Sequence, residues 1–202
     1  MSNENCNLIV AIIAALGTWA IAIIAIWGES IKSHFGGPKL EIALLDPEGK
    51  ITTFGDGTPV RYYHLTISNK RRWNQAHNVR VVICKITKPA ADKSFTHEEP
   101  LSGPLQLHWQ FPFVHPQYPT IGPDDICDLG FLKKGEHFEL ATYIKPNNIN
   151  TKLASNQRMR VEIKAVADNA ESNTLPIDIS WDGNWSDDTP VMAKHLVIKE
   201  IT

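Results

Sequence analysis

Eight histidines and 22 acidic side chains supply the groups for acid–base or metal chemistry in this 202-residue chain. The histidines are scattered, at positions 34, 64, 77, 97, 108, 115, 137 and 195, and only His108 and His115 share one segment. The chain contains no GxSxG, HExxH, GxxxxGK[ST], GxGxxG or CxxC motif. Spacing alone assembles no serine nucleophile with a partnered base, so no catalytic residue is assigned and the expectation is a protein that is not an enzyme. Hard cations need several oxygens from one flexible loop. The stretch WDGNWSDD (181–188) offers Asp182, Asn184, Asp187 and Asp188 around a glycine. It matches no twelve-residue calcium loop and lacks the bidentate glutamate, and Asp-Gly and Ser-Asp-Asp are ordinary turn chemistry. Asp124, Asp125 and Asp128, with His115 as a nitrogen donor, form an equally weak set. No metal or cofactor is expected.

Two stretches point to binding instead. KRRW (70–73) sets Arg71 and Arg72 beside Trp73, which reads first as a solvated turn and otherwise suits anionic headgroups, a phosphate-bearing molecule or an acidic partner. HWQFPFVHPQYPTIGPDD (108–125) threads Trp109, Phe111, Phe113 and Tyr118 among prolines. Proline removes backbone donors, so this run is neither helix nor central strand. Stiff backbone and large apolar area make either a recognition loop or a flap closing a sandwich edge. The flap is the favoured reading, with Trp109 and Phe111 on one face of an extended chain and able to enter the core.

The elements that must position these residues are mostly strands. Alternating or β-branched runs separated by turn residues occur at 39–46, 50–54, 61–68, 78–86, 105–110, 126–132, 137–144, 158–167, 176–181 and 194–201. No convincing helix falls among them, which predicts an antiparallel β-sandwich over 39–202. Three cysteines, Cys6, Cys84 and Cys127, form no paired framework, and Cys84 is expected to be a buried free thiol.

The amino terminus differs. After the leader 1–7, residues 8–27 read LIVAIIAALGTWAIAIIAIW without a charge. Twenty residues at helical rise span roughly 30 Å, the thickness of a bilayer's hydrocarbon core. The leader has no basic residue, which argues against a cleavable signal peptide. The expectation is one transmembrane α-helix, a juxtamembrane hinge at 28–38, and the sandwich beyond. Lys32 and Lys39 follow the span and no basic residue precedes it. The basic-inside rule then puts the amino terminus outside the cell (inner) membrane and the sandwich in the cytosol. Ala11, Ala14, Thr18, Ala22 and Ala25 recur at spacings of three and four, a stripe that admits self-association. A net charge of -2 gives no reason to expect nucleic acid as a partner.

Three fragments carry a resemblance. SNKRRWNQAHNVRVVI (68–83), DLGFLKKGEHFEL (128–140) and VEIKAVADNAESN (161–173) resemble strand and turn motifs of immunoglobulin-like accessory modules found in adhesion and cell-surface proteins. Asn69, Ala76, Asn78, Val79 and Val81 take the motif places in the first, and Leu132, Gly135 and Glu136 in the second. Anchor and domain together look like short bacterial single-pass membrane proteins of unestablished activity. The resemblance implies a sandwich and no ligand. The function expected is a membrane-anchored, non-enzymatic interaction module with the bilayer and a protein as partners. The alternatives are a membrane effector of a bacterial stress or antiphage system whose sandwich senses a nucleotide-like signal, and a hydrolase with an unrecognised site.

Overall fold

The computed structural model describes residues 3–90, 94–111 and 119–201, with the side chains of 3–11 and 29–35 left aside. The chain divides into two compact units, 1–37 and 38–202. The first is a single helix, α1, Asn3–Gly36. It outruns the predicted span at both ends: residues 28–36, expected as hinge, continue the helix, and Pro38 marks where helical backbone is no longer favoured. Its described side chains are apolar on every side, with Ile12, Ile13, Leu16, Trp19, Ile21, Ile24, Ile26 and Trp27 all exposed. The Thr18 hydroxyl donates back to the Ala14 carbonyl at 3.0 Å, which removes its polarity from the surroundings. Among the described residues no helix is long and apolar enough to cross a membrane. The predicted span begins at Leu8, and the side chains of 8–11, Ala11 included, lie outside the described ones.

The second unit is built from antiparallel strands in two sheets. The first sheet holds β1 (Leu40–Leu44), β2 (Lys50–Thr53), β3 (Pro59–Asn69), β7 (Asp124–Lys133), β8 (Phe138–Leu140) and β9 (Lys152–Leu153). The second holds β4 (Arg80–Lys88), β5 (His97–Glu98), β6 (Leu105–Gln106), β10 (Gln157–Ala167), β11 (Ala170–Glu171), β12 (Leu175–Trp181) and β13 (Leu196–Glu200). Their facing sides form one core that includes Tyr63, Leu65, Ile67, Val81, Ile83, Leu129, Phe138, Val161, Ile163 and Ile179. Alternation along β3 sends Tyr63, Leu65 and Ile67 inward, so Tyr62, His64 and Thr66 lie on the opposite face.

Each predicted strand overlaps an observed one. The two-residue strands β5, β9 and β11 were not expected, since pairs this short leave no period to read. One further element corrects the sequence reading. A second helix, α2 (Thr189–His195), occupies the start of the predicted strand 194–201. Asp188 caps it by accepting from the Val191 N–H, Pro190 sits in its first turn, and Lys194 and His195 close its last turn. Cys84 is a second correction, because it is exposed while Cys127 is buried. In the pairing of β10 with β4, Glu162 faces Lys85 and Ile163 faces Ile83. Alternation after the core residues Val81 and Ile83 turns Cys84 outward, and the bulge that leaves it unpaired moves the next core position from Lys85 to Ile86.

The segment 105–110 links the sheets. Leu105 and Gln106 pair with β4, after which Leu107 bridges to Thr142 and Trp109 to Cys127 in the other sheet. Trp109 is fully buried in the core. Phe111, expected on the same face, is 56% exposed, because the chain bends at 110–111. Phe113, His115 and Tyr118 lie outside the described residues.

Candidate functional site

His64 is 4% exposed and stands on the face of β3 that points away from the core. The turn Asp46-Pro47-Glu48-Gly49 between β1 and β2 delivers a carboxylate to one ring nitrogen, with Nδ1 to Asp46 Oδ2 at 3.1 Å. Gly49, at φ +69°, closes that turn where a Cβ would strike Tyr63. The other ring nitrogen faces β7. A register shift between Tyr63 and His64 places Asp128 directly opposite His64, and Nε2 lies 3.4 Å from Asp128 Oδ1. That approach lacks hydrogen-bond geometry, so Oδ1 is a buried acceptor without a hydrogen-bond partner.

Burial sets the protonation here. It holds the His64 imidazole below its ordinary value, against the pull of Asp46. It also raises the Asp128 carboxyl from the usual carboxylate range to about 7. Both shifts favour neutral groups, so near pH 7 the imidazole is neutral and the Asp128 carboxyl is partly protonated.

These residues lie at the base of an open cleft of about 780 Å³. On the same face, Tyr62 packs against Phe131 at a ring separation of 5.7 Å. The β2 hairpin adds Lys50 and Phe54 on one side. The crossing segment adds His108, Gln110 and Phe111 on the other, and Thr142 and Lys145 complete the lining. Backbone bonds fix that crossing: the Cys127 thiol and the Asp128 N–H both donate to the His108 carbonyl, and the His108 N–H donates to Ala141. Burial and the nearby Lys145 ammonium hold His108 below its ordinary pKa, and its ring packs on Tyr143 at 4.1 Å. The Thr142 hydroxyl, 3% exposed, has no hydrogen-bond partner. Lys50 pairs with Asp46 at 3.3 Å, and Lys145 pairs with the buried Glu139, so the lysines at the mouth are already neutralised.

The other sequence candidates fall elsewhere. Arg71, Arg72 and Trp73 sit in a loop after β3, ordered by the buried Asn69. Its side-chain carbonyl accepts from the Lys39 and Arg71 N–H groups, and its amide donates to the Asn74 carbonyl. Trp73 is 79% exposed. Asp182, Asp187 and Asp188 are already occupied. Asp182 accepts from the Asn184 N–H and pairs with His195 at 2.8 Å, Asp187 accepts from the Trp185 indole, and Asp188 caps α2. The buried Arg61 guanidinium donates to the Ser186 and Asp187 carbonyls, fastening the whole turn to β3. These hydrogen bonds tie the weak metal candidates of 181–188 into turn and cap contacts. Asp124 and Asp125 precede Asp128 on one strand, and Asp125 turns back to accept from the Ile126 N–H. Among the described residues no group of three His, Cys, Asp or Glu side chains converges on a metal position.

The comparisons add no relative. The chain matches no family model, no curated protein and no solved structure. The cleft is therefore argued from its own atoms. Sequence reading missed His64, Asp46 and Thr142, and placed Asp128 only among weak metal donors. The available signal was the alternation of RYYHLTIS, which exposes His64 to the same side as Tyr62.

Proposed function

We infer that this protein is a membrane-tethered binding module in which the outer-face cleft of the sandwich takes a small molecule and no bond is made or broken. The observation that carries the reading is a pair of buried polar atoms, Asp128 Oδ1 and Thr142 Oγ1, left without hydrogen-bond partners on the lining of an aromatic-walled cleft. Burying an unpaired polar group costs about 1–3 kcal/mol, and a bound ligand that satisfies both atoms recovers that cost. Concave, mostly apolar sites with a few convergent polar groups are where small ligands bind.

The tether is α1, whose charge-free stretch 8–27 matches a bilayer in length. The basic residues after that stretch favour a cytosolic sandwich. The stripe through Ala14, Thr18, Ala22 and Ala25 suits close approach of two such helices. The loop carrying Arg72 and Trp73 hydrogen-bonds through Asn69 to Lys39, just past the helix end, which favours contact with anionic headgroups at the same surface. The immunoglobulin-like reading is supported by two motif fragments that meet. Asn78 donates to Asp168 at 2.5 Å, and the Asp168 N–H donates to His77.

The test is chemical-shift mapping on the full chain in detergent micelles with a library of small fragments. Hits should move the amide signals of Tyr62, His64, Asp128 and Thr142 together. A library whose hits move only the 70–74 loop, or nothing, would overturn the cleft as the binding site.

A further inference from the structure

The unmet polar atoms and the walls of the cleft restrict what fits it. The Asp128 carboxyl accepts through Oδ1, and gives a proton only while it is protonated, whereas the Thr142 hydroxyl can give or take one at any pH. Only these two lining side-chain atoms are buried and unmet among the described residues, whereas four rings, Phe54, Tyr62, Phe131 and Phe111, supply the walls. Phe54 and Phe111 are 44% and 56% exposed, and the Lys133 ammonium lies 5.4 Å from the Phe54 ring centre.

Three ligand classes can be weighed against this lining. A sugar carries hydroxyls around its whole ring, and two polar atoms would leave most of them unpaired on apolar walls. An aliphatic ammonium needs a full counter-charge, and burial keeps the Asp128 carboxyl protonated up to about pH 7. An anion would meet the Asp128 carboxyl, with Lys50 and Lys145 already paired. A flat nitrogen heterocycle has apolar faces for the rings and one polar edge for the two unmet atoms. Stacking of such a ring on aromatic side chains is tolerant of its identity.

We propose that the cleft binds an uncharged planar nitrogen heterocycle of roughly nucleoside size, its ring or amino N–H donating to Asp128 Oδ1 and a second polar atom meeting Thr142 Oγ1. The proposal rests on the cleft being the binding site. It assigns Asp128 as the discriminating residue and Thr142 as the secondary one.

The experiment is calorimetric titration of the full chain in nanodiscs with guanosine, adenosine and cytidine, and with methyl glucoside and spermidine for two of the other three classes. At least one nucleoside should bind, Asp128→Asn should weaken it by about tenfold or more, and Thr142→Val by a few-fold. Both variants must keep a cooperative thermal transition. Phe111→Ala, at an exposed position, serves as a second probe and should also weaken binding. Nucleoside binding that ignores all three substitutions overturns the proposal. Asp128-dependent binding of the glucoside or spermidine, with no nucleoside bound, overturns the ligand class but keeps the cleft. No binding of any of the five overturns the proposal, and fragment mapping then decides whether the cleft reading falls with it.

Discussion

Asp128 is the residue whose chemistry most depends on its surroundings. Its carboxyl has a pKa near 4 in an unfolded chain and about 7 when folded. A raised folded value means that the native state holds a proton which the unfolded chain has released. The resulting stability is fully present below about pH 4 and is lost as pH rises through 7. Between pH 5 and 8 this amounts to about 2–3 kcal/mol, an upper figure because neighbouring groups relax. The groups facing it are His64, Asp46, Lys50 and Tyr62. His64 acts with the opposite sign, because its depressed value costs stability as pH falls below about 6.5. Asp128→Asn removes the Asp128 contribution. The variant should therefore gain thermal midpoint relative to the parent as pH rises from 5 to 8, by about 5–10 °C. A constant difference across that range would mean that the carboxyl is not held neutral by burial.

At the scale of elements, the crossing segment 105–110 matters most, because it carries a core residue and cleft residues on one short stretch. Trp109 is wholly enclosed, so Trp109→Ala leaves a large void and should cost about 3–5 kcal/mol. Phe111 lies two residues on, past a bend, and is mostly exposed, so Phe111→Ala should stay within about 0.5 kcal/mol. Denaturant unfolding of the two variants measures both. Equal losses would show that the bend at 110–111 does not separate the two side chains. The same crossing sets His108 over Tyr143 and holds its carbonyl against two donors of β7, so damage at Trp109 should also disturb the cleft.

At the scale of the whole molecule, the described side chains of α1, residues 12–28, present an apolar surface with no polar face, and the helix belongs to a separate unit from the sandwich. A helix apolar all round needs an apolar surrounding. The full chain should pellet with membranes and resist alkaline carbonate, while the segment 38–202 should remain in the supernatant. A full chain that stays in the supernatant without detergent would remove the tether from the proposed function. Digestion of the sandwich by protease added to intact cells would leave the tether and reverse its direction.

Periodicity and turn chemistry are local properties, and they determined much here without any tertiary contact. Ten of the strands, the Asp46–Gly49 turn, the apolar 8–27 stretch and the entry of Trp109 into the core were legible in the residues themselves. The helix α2 was also written locally, in Asp188, Pro190 and the basic last turn, yet the β-branched run that follows drew it into a strand prediction. The cleft was not legible. Its pair, His64 and Asp128, depends on a register shift between two strands far apart in the chain, and a slip of one residue would send either side chain to the other face. The bulge that moves the core position from Lys85 to Ile86 also depends on the pairing of β4 with β10. Which residues alternate is a property of each strand; which of them meet is settled only when backbone hydrogen bonds between strands choose a register.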